Sequence, residues 1–204
     1  LRTFEGYYPA HAGLGRVQAA QGKFDDAIIS LKRAQAAVPM PEYAAALADL
    51  YARIGKKTEA ERQLQLIDMI YKMARANHEK TNRNLALVFA DQARNLPRAL
   101  ELAQAELEVR RDVYTYDALA WALYQNGQLA EAAQASRNAL QFGTPEPAFY
   151  YHAGMIASAL GNKAEGAQYL SRSLALNAHF DARGAEIAAA TLRALHAPAT
   201  LAKH

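Results

Sequence analysis

The side chains able to do chemistry in this 204-residue chain are few and dispersed. The six histidines, His11, His78, His152, His179, His196 and His204, never fall at H-x-x-x-H or H-E-x-x-H spacing, which would put two imidazoles on one helical face for a metal ion. Cys is absent, which excludes disulfides, Cys-ligated metals and a thiolate nucleophile. Ser and Thr remain as nucleophile types, without an obvious base to activate them. No G-x-S-x-G, P-loop or G-x-G-x-x-G occurs. The nearest run, Gly13-Leu14-Gly15, lies inside a helical pattern. These absences predict a chain that is not an enzyme and holds neither cofactor nor metal.

What remains is binding, and it depends on the elements that carry the aromatic and charged residues. In the stretch from Asp112 to Leu140, DVYTYDALAWALYQNGQLAEAAQASRNAL, Tyr116, Leu119, Ala120 and Leu123 recur at spacings of three and four. That spacing forms one stripe of a helix. Gly127 interrupts, and glycine accepts the positive φ with which helices commonly end. A second stripe follows at Ala132, Ser136, Ala139 and Leu140, small enough at its first and third positions for two backbones to approach closely.

The motif of a turn residue followed five positions later by a small residue recurs as Gly22 with Ala27, Gly55 with Ala60, Gly127 with Ala132 and Gly161 with Gly166. Arg94 with Ala99 is a degenerate copy. The intervals are 33, 39, 33 and 34 residues. The first unit, AHAGLGRVQAAQGKFDDAIISLKRAQAAVP, carries Leu14 and Gly15, Gly22, Phe24, Ala27, Leu31, Ala34 and a closing Pro39. A helix–turn–helix period near 34 with this pattern resembles the tetratricopeptide repeat. The resemblance implies an all-α, right-handed α-solenoid. Its repeats fall at about 8–40, 41–79, 80–112, 113–146 and 147–180, with a capping helix over 181–196 and a tail over 197–204, in a single array.

Local signals refine the boundaries. Helices are expected near 8–21 and 25–37, then from Pro41, which suits a first helical turn. Thr58 and Glu61 form a T-x-x-E capping box, and Leu64, Ile67, Ile70, Tyr71 and Ala74 carry that helix one to two turns beyond the repeat. The third unit is expected near 80–94 and 97–110. Asp112 is a good N-cap for the fourth, and Thr144-Pro145 is expected to start the fifth at 145–160 and 163–177. In the last helix Ile187, Ala188, Leu192 and Leu195 share a stripe, and Arg183, Glu186 and Arg193 make it polar outside, as a terminal cap must be. Pro198 is expected to end it. Leu1-Arg2-Thr3 fits the tail of a preceding second helix, so further units are expected upstream.

Net charge is +3 with both signs interspersed, a weak hint of anionic partners at best. The basic stretch from Lys72 to Arg83 reads first as a solvated face. No apolar run approaches the ~18 residues of a membrane helix, so no membrane insertion is expected. Lack of Cys suits export and the cytoplasm alike. The Ala-rich composition looks bacterial.

The family resemblance implies that the first helix of each unit lines a concave groove. The corresponding positions are Arg16; Glu42, Asp49 and Arg53; Asn84, Asp91 and Gln92; Tyr114, Asp117, Trp121, Tyr124 and Gln125; and Tyr151, Met155 and Ser158. The N-terminal positions are polar and mixed in charge. Those of the last two units gather Tyr114, Trp121, Tyr124, Tyr151 and Met155, residues that anchor interfaces when exposed or a core when packed on one another. The carboxylate-clamp donors of co-chaperones that use this fold are not matched: one register holds Ala12, Arg16, Ala46, Thr81 and Leu85, the other Asn84, Val88, Ala118, Ala148 and His152. Asp49, Asp91 and Asp117 oppose a phosphate backbone, so no nucleic acid is expected. The expected partner is a protein or peptide, and the alternative is a spacer or self-associating module forming a homo-oligomer.

Overall fold

The computed structural model describes residues 7–79 and 81–197. Among them there are eleven helices and no strand: α1 (Tyr8–Ala20), α2 (Phe24–Ala37), α3 (Pro41–Arg53), α4 (Lys57–Ala76), α5 (Arg83–Asp91), α6 (Leu96–Val109), α7 (Val113–Gln125), α8 (Leu129–Leu140), α9 (Pro147–Ala159), α10 (Lys163–Leu176) and α11 (Gly184–His196). They fall into two compact units, Leu1–Val109 and Arg110–His204. The first holds the hairpins α1–α2, α3–α4 and α5–α6. The second holds α7–α8 and α9–α10, followed by α11. Leu1–Thr3, and Pro198 with the tail behind it, lie outside the described residues.

Four of the hairpins close by the same backbone device. Gly22, Gly55, Gly127 and Gly161 take φ of 74°, 76°, 77° and 84°. The next residue then donates its N–H five residues back: Lys23 to Gln18 (2.9 Å), Lys56 to Tyr51 (2.8 Å), Gln128 to Leu123 (3.0 Å) and Asn162 to Ala157 (2.9 Å). This satisfies a carbonyl left over at the helix end. The donor is also the N-cap of the following helix, without a side-chain capping bond in any of the four. The expected Thr58–Glu61 capping box is therefore absent. Lys56 is the N-cap, and Thr58 already lies inside α4.

The third hairpin departs by one residue. The left-handed position is Ala93 (φ 49°), not Arg94, and Asn95 adds a second positive φ of 49°. Arg94 still reaches back to Phe89 at 2.9 Å, and Ala99 donates to Asn95 at 3.1 Å. Each non-glycine residue here costs roughly 1–2 kcal/mol. Helix α5 is also shorter than the expected 80–94. The Asn82 side chain accepts the Leu85 N–H at 2.9 Å and sets a later start. The fifth repeat likewise begins at Pro147 rather than Pro145. A residue before proline is pushed out of the α region, so Glu146 (φ −102°, ψ 112°) stays extended and becomes the N-cap. Asp112 caps as expected, accepting the Thr115 N–H at 2.8 Å. Helix α4 overruns as expected, at 20 residues.

Small residues let the paired helices touch. A Cβ on Gly15 would lie 2.7 Å from Leu31 Cγ, one on Gly154 2.6 Å from Leu170 Cγ, and one on Gly166 2.4 Å from Ser158 Oγ. The equivalents Ala27, Ala60, Ala99 and Ala132 are all buried. This close approach explains glycines in mid-helix, where each costs about 1 kcal/mol of propensity relative to Ala. Helix α11 packs against α9 and α10 through Ala185 and Ala188, leaving Arg183, Glu186 and Arg193 exposed.

Gly154→Ala is expected to lower the urea unfolding free energy by about 1–3 kcal/mol, since the nearest atoms are the Leu170 branch point and backbone. Gly13→Ala, with open space around its added Cβ, is expected to raise it by about 0.5–1 kcal/mol. Equal effects of the two would contradict close packing at Gly154.

Candidate partner-binding face

In the second unit, Tyr114, Asp117, Trp121 and Tyr124 are spaced three and four apart on α7 and so share one stripe. Helix α9 lies beside it and supplies Phe149, Tyr151, His152 and Met155. Two rings stack on Trp121. Tyr124 stacks on it at 4.9 Å between centroids and 10° between planes, and His152 at 4.3 Å and 16°. Tyr151 tilts against Trp121 at 5.4 Å and touches Phe180 at 5.5 Å. Tyr114 meets Phe149 edge-on at 5.2 Å. The His152 imidazole is fixed by Asp117, whose two carboxylate oxygens lie 2.9 and 3.0 Å from Nδ1. The Nδ1–H tautomer is the one that donates to this carboxylate.

Exposure divides these residues in two. Trp121 is 3% exposed, and Asp117, Tyr151 and His152 are also buried. Tyr114 is 45% exposed, while Tyr124 and Met155 are half-buried. The buried members form a rigid base and the others its accessible rim. Tyr151 is buried among Trp121, His152 and Phe180, the last on the segment leading into α11. Burial pushes the Tyr124 phenol above its usual value.

The groove positions of the first unit are polar. Asn84 Nδ2 donates to Glu42 Oε1 at 3.3 Å, and Gln92 Nε2 to the Asp49 carboxylate at 3.2 Å, so both pairs tie α5 to α3. Arg16 is exposed on α1, and Asp91 is exposed at the end of α5. Arg53 is exposed with its guanidinium 5.5 Å from the Phe24 ring centre. The Tyr43 phenol is raised by burial, then by neighbouring Glu42 and Tyr8, with Arg16 opposing. The predicted residues thus form two separate sets, one within each unit.

His152 is the member that sequence reasoning passed over. It lies 35 residues after Asp117, one repeat plus one, a separation that sets it beside the α7 stripe. Repeat arithmetic applied across neighbouring first helices would have found it.

Residues 1–50 match one tetratricopeptide-repeat family model and residues 147–180 another. No curated protein matches the sequence. Among solved structures the fold is similar to a thermophilic TPR protein of Thermus thermophilus, at 18% identity and a TM-score of 0.56, over 91% of this chain and 99% of that one. MamA (41-end) from Desulfovibrio magneticus RS-1 matches at 18% identity and a TM-score of 0.43, over 83% of this chain and 94% of that one. The chain is an all-α helical-repeat protein of the solenoid class. Within that class it is a tetratricopeptide-repeat protein. Among the described residues no helix is long and apolar enough to cross a membrane, and no group of three or more His, Asp or Glu could hold a metal ion.

Trp121, the sole tryptophan, is expected to emit at short wavelength and to resist iodide quenching, and Trp121→Ala to cost about 3–5 kcal/mol of stability. Ready quenching would contradict the stacked arrangement. The neutral Tyr124 phenol contributes a pH-dependent term with a definite sign. Its pKa is raised on folding, so stability is fully present below its unfolded value, 10.0, and lost as pH rises through the raised folded value. The loss of stability as pH rises above 10.0 is therefore expected to be shallower in Tyr124→Phe, followed by alkaline unfolding.

Proposed function

We propose that this chain is a protein-interaction module whose second unit takes a peptide segment of a partner protein against the α7–α9 face. The observation that carries the proposal is the Tyr124–Trp121–His152 stack with the exposed Tyr114 ring on the same stripe. Rings whose rotamers are already locked by stacking lose little entropy when a ligand covers them, and tyrosine adds a hydroxyl to a large apolar face. In this scheme Trp121, Asp117, Tyr151 and His152 hold the surface in shape. Tyr114, Tyr124 and Met155 make the contact. The polar positions of the first unit, Arg16, Asp49, Arg53, Asn84 and Asp91, are a separate contact surface suited to charged and hydrogen-bonding groups.

A peptide selected against the protein from a display library, titrated by calorimetry, tests this. Tyr114→Ala is expected to lower its affinity by about tenfold or more while leaving the protein folded, because nearly half of the residue is exposed. Unaltered affinity in Tyr114→Ala and in Tyr124→Ser, for every peptide selected, overturns the proposal.

A further inference from the structure

The first unit contains a second surface that the α7–α9 face does not involve. The overlong α4 leaves a gap where it passes the third hairpin. Helix α2 packs along α3, but α4 has no comparable packing along α5. Tyr71 and Phe89 meet edge-on at 5.5 Å, and Arg94 Nη2 reaches Asp68 Oδ2 at 2.9 Å across the gap. Between these ties lies an open cleft of about 860 Å³, lined by Asp68, Tyr71, Lys72, Arg75, Arg94 and Asn95. The lengthened third turn forms its far wall, with Asn95 held at positive φ.

The cleft carries surplus positive charge. Arg94 is neutralised by Asp68, whereas Lys72 and Arg75 make no ion pair among the described residues and are exposed. Helical spacing sets Met69 and Met73 next round the α4 surface, beyond Lys72 and Ala76. They are 56% and 59% exposed, on a helix whose other face is buried through Ile67 and Ala74. Two unpaired cations beside a flexible apolar strip therefore extend along the part of α4 that overruns the repeat.

We infer that this cleft and the methionine strip beside it dock an acidic peptide segment, with carboxylates on Lys72 and Arg75 and apolar side chains on Met69, Met73 and Tyr71. Charge complementarity selects the occupant, and the unbranched methionines adapt to different apolar side chains. A phosphate polymer fits less well. Asp68 sits within the cleft and would repel closely spaced charges, and the methionines offer a backbone phosphate nothing.

The probe is a fluorescein-labelled amphipathic peptide with Glu on one face and Leu on the adjoining one, followed by fluorescence anisotropy. Its Glu→Gln twin and a single-stranded RNA of matched charge serve as comparisons. The acidic peptide is expected to bind saturably, to weaken with salt, and to bind at least about tenfold better than its twin. The same loss is expected in the double variant Lys72→Glu, Arg75→Glu, and a smaller one in Met73→Ser. Both alter exposed side chains, and circular dichroism should show an unchanged melt. Tyr114→Ala should leave this binding intact. Absence of saturable binding, equal binding by the charge-reversed variant, or RNA binding as tight as that of the acidic peptide overturns the inference.

Discussion

Close contact between the two helices of each hairpin is the constraint on which the structure depends. It requires a residue with little or no side chain where the backbones cross, and Gly15 against Leu31 and Gly154 against Leu170 show how little room there is. The hydrophobic gain from pressing the two faces together must exceed the propensity lost by glycine in a helix. Once the crossing is fixed, larger residues such as Leu31, Leu47, Leu85 and Leu170 fall into the remaining space and are fully buried. The turn then has one job, which is to reverse the chain within a few residues, and backbone hydrogen bonds alone achieve it.

The same economy bears on the candidate site. On α7, the pattern residues Ala120 and Leu123, with Ala118 beside them, are consumed by packing. Asp117, Trp121 and Tyr124 are not demanded by the repeat, yet they are held in the same close packing. A buried carboxylate is costly unless it is hydrogen-bonded, and the His152 imidazole supplies that bond. The imidazole in turn presents its flat face to Trp121. Charge satisfaction and ring stacking are thus parts of one arrangement, and replacing any member alters the surroundings of the others.

Much of the architecture was legible in the residues. Hairpin order, the Asp112 cap, the overrun of α4 and the polar face of α11 follow from spacing, glycine and charge. The misplacements have physical causes. Thr58 and Glu61 have capping chemistry, but the preceding turn had already used Lys56 as the N-cap. Pro145 resembles a helix start, but a second proline two residues later holds Glu146 extended. The left-handed residue of the third turn is Ala93, which has no glycine to announce it. The aromatic stripe was visible in sequence, but the split between a buried base and an exposed rim was not. That split depends on His152 from the next repeat and on Phe180, neither of which a single-repeat pattern contains.

The glycine turns have a consequence for how such a chain can vary. The residue after each glycine closes one helix and opens the next through main-chain atoms, and in the four regular turns it is Lys23, Lys56, Gln128 and Asn162, all exposed. Its side chain makes no capping hydrogen bond. These positions form a set of surface addresses, recurring in four of the five hairpins, where charge can be rewritten at little cost to the scaffold. A repeat protein built this way can change its solubility and long-range field independently of the surfaces that recognise partners.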